Sequence, residues 1–252
     1  MERPSLPHDQ PAERWLGFLP LYHAYGQLFS IVMACKLGIP VYIMTNFHYD
    51  QFLQHVQNHK ITHLQTTPPL MVMLSKRPET TQYDLSSVRD ILCGAAPLSS
   101  ELQNEVSGRF DLLVRQTWGG TELTCSATAS PGGMKDDTGS TGILYPNMEC
   151  KLLDDMGREV CIGERGEAYL KGPNVFVGYW RNEMGTAAAF DADGFYKTGD
   201  VVVRDEQGRF YVVDRKKEMI KVNGLQVAPA ELEALLLKNE NIADAAVIGV
   251  AQ

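Results

Sequence analysis

Arg89-Asp-Ile-Leu-Cys-Gly-Ala-Ala-Pro97 and the adjoining Ser99-Ser-Glu-Leu-Gln-Asn-Glu-Val106 give the strongest indication of the fold class. Arg89 to Cys93 contains a short apolar run that ends at a glycine, which favours a buried strand. Ser99 is a residue type that caps helices well, so a helix is predicted to start there. A strand, a turn and a helix in this order are the building unit of layered α/β proteins.

The same alternation of helices and strands continues towards the N-terminus. The pattern predicts an apolar helix, a β-branched strand, a polar helix with Asp50 as its N-cap, and a helix started by proline. In chain order these elements are Gln27 to Leu37, Val41 to Met44, Asp50 to Asn58 and Pro69 to Lys76. The first half of the chain is therefore expected to be a layered α/β domain.

From about Gly139 the pattern changes to short strands separated by glycine turns. This pattern predicts a β-rich subdomain, built as a small barrel or a sandwich. Its expected strands are Cys150 to Leu153, Gly166 to Lys171, Val201 to Arg204 and Phe210 to Val213.

A second change in pattern follows Asp214. Ala228-Pro229 is predicted to open a helix with leucines 232, 235 and 236 on one face, and Asp244 to Val250 is predicted to be a final strand. The loop between these parts is rich in lysine and suits a hinge. The prediction is a large domain over residues 1–214, β-rich from about 139, and a small α+β domain over residues 215–252.

Composition narrows the class of protein. The chain has 252 residues, of which 44% are hydrophobic, and this is ordinary globular material. The net charge of −8 argues against nucleic acid as a general partner, because phosphate binding needs a basic surface. No apolar run approaches the roughly 20 residues of a membrane span. The five scattered cysteines predict free thiols, and with neither a signal peptide nor a terminal Ser-Lys-Leu the expected location is cytoplasmic.

Gln116-Thr-Trp-Gly-Gly-Thr-Glu122 combines residue types that suit a nucleotide site. Adjacent glycines let the backbone approach a ligand, and Trp118 offers a flat apolar face. Thr121 and Glu122 offer a hydroxyl for a phosphate and a carboxylate for Mg²⁺. A strand followed by a tight turn with a core tryptophan explains the same residues equally well.

Asp193-Gly-Phe-Tyr-Lys-Thr-Gly-Asp200 ends on a carboxylate that could accept hydrogen bonds from ribose hydroxyls, although an ordinary glycine-turn hairpin also fits. The Asp214-Arg215 pair follows and is either a second contact to that ribose or a surface ion pair. Lys217 and Lys221 lie four residues apart, which fits one helical face or a turn and a following strand.

His23 lies between two tyrosines in Pro20-Leu-Tyr-His-Ala-Tyr-Gly26, just before an apolar helix. An aromatic–His–aromatic run at such a junction could line a pocket, whereas a lone histidine there often packs or caps the helix. No second histidine or cysteine stands at metal-ligand spacing, so a histidine-based metal site is not indicated.

Individually these signals are weak, and their order along the chain is the informative property. The ordered blocks are Pro20-Leu-Tyr-His-Ala-Tyr-Gly26, Asp84-Leu-Ser-Ser-Val88, Cys93-Gly-Ala-Ala-Pro97, Trp118-Gly-Gly-Thr-Glu122, Gly163-Glu-Arg-Gly-Glu167, Gly178-Tyr-Trp180, Lys197-Thr-Gly-Asp200, Asp214-Arg215 and Gln226-Val-Ala-Pro-Ala-Glu231. In this order they resemble the adenylate-forming superfamily along essentially the whole chain. The nearest likeness is to 4-coumarate–CoA ligases and related acyl-CoA ligases.

The resemblance implies a carboxylic acid, aryl or fatty, that is activated by ATP and Mg²⁺ to an acyl-adenylate and transferred to CoA. It implies that adenine is held by Gly94, Ala95, Ala96, Pro97 and Trp118, and ribose by Asp200 and Arg215. It implies that Thr121 contacts the α-phosphate and Glu122 the Mg²⁺, with His23, Gly119, Gly120 and Leu123 at the acyl pocket. By the same likeness Lys217 is the hinge, and Lys221 and Gln226 contact the adenylate.

Two features of such ligases are expected outside this chain, namely a phosphate loop before Trp15 and an adenylation lysine beyond Gln252. Trp118 replaces a tyrosine, and Asn223 replaces a frequent lysine on the thiol side. By analogy with single oxyanion-hole donors, each of the two missing features costs about 2.7–4 kcal/mol of transition-state stabilisation. The expectation is an acid–CoA ligase sequence with weak adenylation of its own, and the alternative is a nucleotide- or partner-binding remnant without catalysis.

Overall fold

The strand predicted to end at Cys93 lies in the middle of a seven-stranded sheet of mixed direction. The computed structural model describes residues 12–222, 225–237, 239, 242 and 245–250. The strands of the large sheet are β1 (Trp15–Gly17), β2 (Val41–Ile43), β3 (His63–Thr66), β4 (Asp90–Cys93), β5 (Leu113–Trp118), β6 (Thr128–Ala129) and β7 (Ile143–Leu144). Their order is β2-β1-β3-β4-β5-β6-β7. The first five strands are parallel and the last two pair antiparallel.

Helices connect the parallel strands, as the alternating pattern predicts. The helices of the described chain are α1 (Ala24–Gly26), α2 (Ala34–Leu37), α3 (Tyr49–His59), α4 (Pro68–Lys76), α5 (Ser100–Phe110), α6 (Glu183–Ala189) and α7 (Pro229–Leu237). A π-helical stretch, Gln27–Met33, joins α1 to α2. The layered α/β fold class predicted for this part of the chain is confirmed.

The two helix caps predicted from the sequence have different outcomes. The Ser99 hydroxyl accepts a hydrogen bond from Leu102 N at 3.2 Å, so the predicted cap of α5 is confirmed. The prediction that Asp50 caps α3 is wrong, because the helix starts at Tyr49 and the N-cap position is His48. Asp50 instead lies in the first turn, where a carboxylate is stabilised by the positive end of the helix dipole.

The β-rich subdomain is an open antiparallel sheet. Its strands are β8 (Glu149–Leu153), β9 (Arg165–Lys171), β10 (Tyr196–Arg204) and β11 (Phe210–Arg215). The order β11-β10-β9-β8 leaves β8 and β11 at the two edges of the described sheet. The predicted β-rich subdomain is confirmed, but its described strands do not close into a barrel, since the sheet has two edges.

The two sheets are joined beside Phe210. Phe210 N donates to Gly142 O at 2.8 Å, and Thr141 N donates to Phe210 O at 2.8 Å. Gly142 has a φ of +87°, and a Cβ at this position would overlap the backbone of Ala129 and Ser130. Only glycine fits where the chain crosses so close to β6.

Among the described residues, a small apolar cluster of Trp15, Ala34 and Ile39 lies at β1, and two larger ones support the sheets. One lies around the parallel strands and includes Phe52, Met71 and Ile91. The other lies under the second sheet and includes Trp118 and Phe210. Because Trp118 is the last residue of β5, the parallel sheet extends into the core of the β-rich subdomain.

The C-terminal part starts with a hairpin of β12 (Ile220–Val222) and β13 (Leu225–Val227), and α7 follows. Its helix is confirmed, but leucines 232, 235 and 236 are 40–62% exposed. The predicted final strand is wrong for residues 245–250, where Val247 N donates to the Glu233 side chain at 2.9 Å instead of to a strand. Asp244 and Asn223 lie outside the described residues.

The predicted boundary at Asp214-Arg215 falls inside β11, whose last residue pairs with Asp200 on β10. The boundary therefore stays a prediction. Of the two alternatives for Lys217 and Lys221, the turn and following strand is the one observed. Within the described ranges, no helix has both the length and the apolar character to cross a membrane.

Candidate functional site

A cavity of about 370 Å³ opens where the carboxyl ends of β4 and β5 meet the second sheet. Residues 95–98 and 116–119 line it, together with Asp200, Val212, Asp214 and Arg215. Its size lies within the range of small-molecule sites. In open α/β sheets the carboxyl ends of parallel strands are where ligands bind.

The turn after β4 provides a flat wall for this cavity. Gly94 is buried, and a Cβ there would lie only 2.8 Å from Thr117 Cγ2, so the turn packs directly on β5. Ala95 has a φ of +74°, a strained conformation for a residue with a side chain. Ala95, Ala96 and Pro97 are exposed and small, which leaves room for a planar ring.

Trp118 lines the cavity and also belongs to the core of the β-rich subdomain. It is 6% exposed, and its ring stacks at 6.3 Å from the Phe210 centroid. Its indole Nε1 donates to Asp200 Oδ2 at 2.8 Å. The tryptophan is packed in the core, as the second alternative predicts, and it also lines the cavity; its contact with a nucleotide stays a prediction.

Asp200 lies on β10 with a side chain that is 14% exposed. Burial raises the pKa of this carboxyl above its ordinary value, and the Trp118 hydrogen bond and the Arg215 charge act in the opposite direction. Arg215 Nε is 3.6 Å from Asp200 Oδ1, and its own side chain is 69% exposed. The pair thus presents a carboxylate and a guanidinium at the rim of one cavity.

Thr121 and Glu122 lie beside the cavity rather than on its lining. They belong to the 3-10 turn Thr121–Leu123, whose third residue is buried in the second core. Glu122 is half-buried, and its Oε1 accepts a hydrogen bond from the Tyr179 hydroxyl at 2.9 Å. Gly119 lines the cavity, and a Cβ there would overlap the backbone of Cys125 and Ser126.

His23 is exposed and caps α1, since its Nδ1 accepts a hydrogen bond from Tyr25 N at 3.1 Å. It is not among the residues that line the cavity. Its neighbour Tyr25 is nearer, because a Cβ on Gly94 would lie 3.5 Å from the Tyr25 ring. The structure therefore shows the capping alternative for His23.

The remaining predicted residues follow β11, in the turn before the C-terminal hairpin and on the hairpin itself. Lys217 is exposed in the turn after β11. Lys221 and Gln226 are paired neighbours on β12 and β13.

Sequence reasoning assigned no role to Gln116, Glu218 or Tyr179. Gln116 lines the cavity, and its Nε2 donates to Gln103 Oε1 at 2.7 Å and to Leu98 O at 3.0 Å. Its position on β5 before Trp118 was visible in the sequence, but its contacts depend on how α5 packs. Tyr179 stands in the Gly178-Tyr-Trp180 block, but its contact with Glu122, like the position of Glu218 at the cavity, depends on tertiary folding.

The parallel sheet, the antiparallel sheet and the cavity between them define the large domain of adenylate-forming enzymes. Residues 3–180 match the family described as AMP-binding enzyme, and the chain belongs to that family. Its curated relatives include proteins named as CoA ligases. The resemblance noted from the ordered motifs is confirmed.

Relatives and solved structures agree on this family. The chain is 40% identical over 240 residues to a probable 4-coumarate–CoA ligase from Dictyostelium discoideum, with 94% of this chain and 43% of that protein covered. It is 40% identical over 238 residues to a phenylacetyl-CoA ligase from Aspergillus niger, with 92% and 44% covered. The chain thus spans less than half the length of these relatives.

Among solved structures, o-succinylbenzoate CoA synthetase from Bacillus subtilis in complex with its acyl-adenylate has a TM-score of 0.82 and 31% identity. The match covers 95% of this chain and 48% of that one. The same synthetase has also been solved with ATP and a magnesium ion, at a TM-score of 0.80, 31% identity and coverage of 95% and 49%.

Proposed function

We propose that this chain forms the nucleotide site of an ATP-dependent acid–CoA ligase, which activates an aryl acid as its acyl-adenylate and transfers it to CoA. The observation that carries the proposal is the hydrogen bond from Trp118 Nε1 to Asp200 Oδ2 at 2.8 Å. It places an aromatic wall and a buried carboxylate in one cavity at the carboxyl end of a parallel sheet.

Adenine and ribose would occupy the two sides of this cavity. The adenine ring would lie between the Gly94–Pro97 turn and the Trp118 edge, where small residues leave a flat gap. The ribose hydroxyls would donate to Asp200, and the exposed Arg215 guanidinium would donate to ribose oxygens. Because the Asp200 carboxylate is already held in place by Trp118, the site would need little reorganisation to bind a nucleotide.

Thr121 and Glu122 would act on the phosphates. Mg²⁺ in such sites is held by one or two carboxylates together with substrate phosphates and water. The half-buried Glu122 carboxylate beside the cavity fits this need, because one of its oxygens is fixed by Tyr179. When bound, the ion neutralises charge that develops on the phosphates, while Thr121 would donate to the α-phosphate.

The acyl group and the small domain complete the proposed assignment. Gly119 and Gly120 would form the near wall of the acyl pocket, with Leu123 packed behind them and His23 at the end of α1. Lys217 would be the hinge of a domain starting at residue 215, and Lys221 and Gln226 would contact the adenylate. All five cysteines are free thiols, which supports a cytoplasmic location for the protein.

Exchange of labelled pyrophosphate into ATP tests the proposed reaction on the 252-residue chain. We expect exchange above the acid-free blank with 4-coumarate, phenylacetate or o-succinylbenzoate, the acids named in the relatives. Glu122→Gln should reduce it to the blank. The observed rate also tests the expectation of weak turnover. AMP binding without exchange for any aryl or fatty acid would instead support a binding role without catalysis.

The raised pKa of Asp200 predicts how AMP binding depends on pH. The charged carboxylate accepts from both ribose hydroxyls, so AMP affinity should fall as the pH is lowered through the raised pKa. The stability of the fold depends on pH in the opposite direction to AMP affinity. The native state binds this proton more tightly than the unfolded chain does. Protonated Asp200 therefore adds to the free energy of unfolding at low pH, and this stabilisation is lost as the pH rises through the raised pKa.

Calorimetric titration with AMP between neutral and mildly acidic pH measures this dependence. Asp200→Asn should bind weakly with a flat pH profile, because it has no carboxyl to titrate. A wild-type profile as flat as that of the variant would contradict the assignment of Asp200.

A further inference from the structure

The segment from Asn174 to Tyr179 is hydrogen-bonded to the turn that carries Thr121 and Glu122. Phe176 N donates to Glu122 O at 2.7 Å. Asn174 Nδ2 donates to Leu123 O and to Ser126 O, both at 2.9 Å. The turn is therefore held on its backbone from one side by a segment far along the chain.

The aromatic side chains of this segment pack in an aromatic cluster. The Phe176 ring stacks on Phe190 at 5.4 Å and meets Tyr196 edge-on at 5.3 Å. Tyr179 packs against Phe176 at 4.8 Å. Burial and the neighbouring Glu122 carboxylate raise the pKa of the Tyr179 hydroxyl, so it keeps its proton. Phe176 thus links the Tyr179 ring to Tyr196 on β10 and to Phe190 at the end of α6.

The two oxygens of the Glu122 carboxylate have different surroundings. Oε1 accepts from the Tyr179 hydroxyl at 2.9 Å. Oε2 lies near Gly120, 3.5 Å from where a Cβ of that residue would stand, and it has no hydrogen-bond partner among the described residues. A carboxylate can only accept, so the tyrosine must be the donor.

We infer that Tyr179 is a positioning residue that fixes the Glu122 carboxylate with Oε2 directed to the Mg²⁺ of a bound nucleotide. This inference rests on the proposed function of Glu122. An unrestrained glutamate loses side-chain entropy when it binds an ion, and a fixed oxygen avoids that loss. Outer groups that orient metal ligands change metal affinity about 10- to 100-fold when they are removed.

The test is calorimetric titration of ATP into the chain at a series of Mg²⁺ concentrations. Tyr179→Phe removes only the hydroxyl, and we expect it to raise the Mg²⁺ concentration for half-maximal ATP binding about tenfold, the lower end of that range because Tyr179 is 40% exposed. AMP affinity measured with EDTA should not change, since that nucleotide binds without the ion. A purely structural defect would lower both affinities together.

Two further variants separate the possible outcomes. Tyr169→Phe removes the same atom from β9, where the ring lies against Lys151, and should match the wild type. Glu122→Gln should abolish the Mg²⁺ dependence of ATP binding. If Glu122→Gln leaves that dependence intact, the proposed role of Glu122 is wrong. If Glu122→Gln abolishes it and Tyr179→Phe matches the wild type, the inference about Tyr179 is overturned.

Discussion

Replacing Trp118 with alanine is expected to lower the free energy of unfolding by about 3–5 kcal/mol, the range for removing a large aromatic side chain from a core. Trp118 is 6% exposed and packs on Phe210, so the cavity left behind would lie inside the second core. The same change removes the donor that faces Asp200. AMP binding should therefore become unmeasurable in Trp118→Ala.

Trp118→Phe separates packing from the hydrogen bond. Phenylalanine keeps an aromatic ring in the core and removes the indole N–H. We expect a much smaller loss of stability than in Trp118→Ala, together with an AMP affinity reduced about tenfold or more, since a hydrogen bond to a charged group contributes about 1.5–3 kcal/mol.

Urea unfolding followed by circular dichroism suits this series, because the substitution also removes a fluorophore. AMP affinity is measured by calorimetry at the same pH. Wild-type AMP affinity in Trp118→Phe would show that the contact between Trp118 and Asp200 does not organise the nucleotide site.

Replacing Arg115 with methionine is expected to cost about 3–5 kcal/mol of stability, because it leaves a buried carboxylate without its partner. Arg115 contacts both oxygens of Asp90 at 2.8–3.2 Å, and the two side chains are 15% and 12% exposed. Arg115 Nη1 also donates to Ser130 O at 2.9 Å. The pair therefore joins β4 to β5 and to the chain beyond β6.

The double variant Asp90→Leu with Arg115→Met should recover most of that loss, since removing both charges removes the desolvation penalty as well as the attraction. Lys60→Met is a matched control at an exposed pair, because Lys60 and Asp84 are 55% and 48% exposed. It should change stability far less, as water screens such pairs. Urea unfolding measures all three variants. A double variant no more stable than Arg115→Met would contradict the desolvation argument.

Where a structural feature depends only on residues close by in the chain, the sequence was sufficient to predict it. Ser99 caps α5 because its hydroxyl needs only the backbone of the following turn. The strand ending at Cys93 and the turn after it follow from an apolar run and a glycine. The order of motifs was enough to place the chain in its family, because a family is defined by such an order.

Local reasoning was wrong where several neighbours compete. Asp50 could cap a helix, but α3 starts at Tyr49, whose ring is buried with the core. The last apolar run could form a strand, but Val247 bonds to the Glu233 side chain instead. In both cases burial and hydrogen bonding elsewhere in the fold outweigh the local preference.

The sequence by itself determined the family, the α/β layering and about half of the residues that line the cavity. Only the tertiary structure decided which side chains touch. Trp118 and Asp200 are 82 positions apart, and Glu122 and Tyr179 are 57 apart. Contacts of this length depend on how two sheets pack against each other, and no periodicity or capping rule within a single segment contains that information.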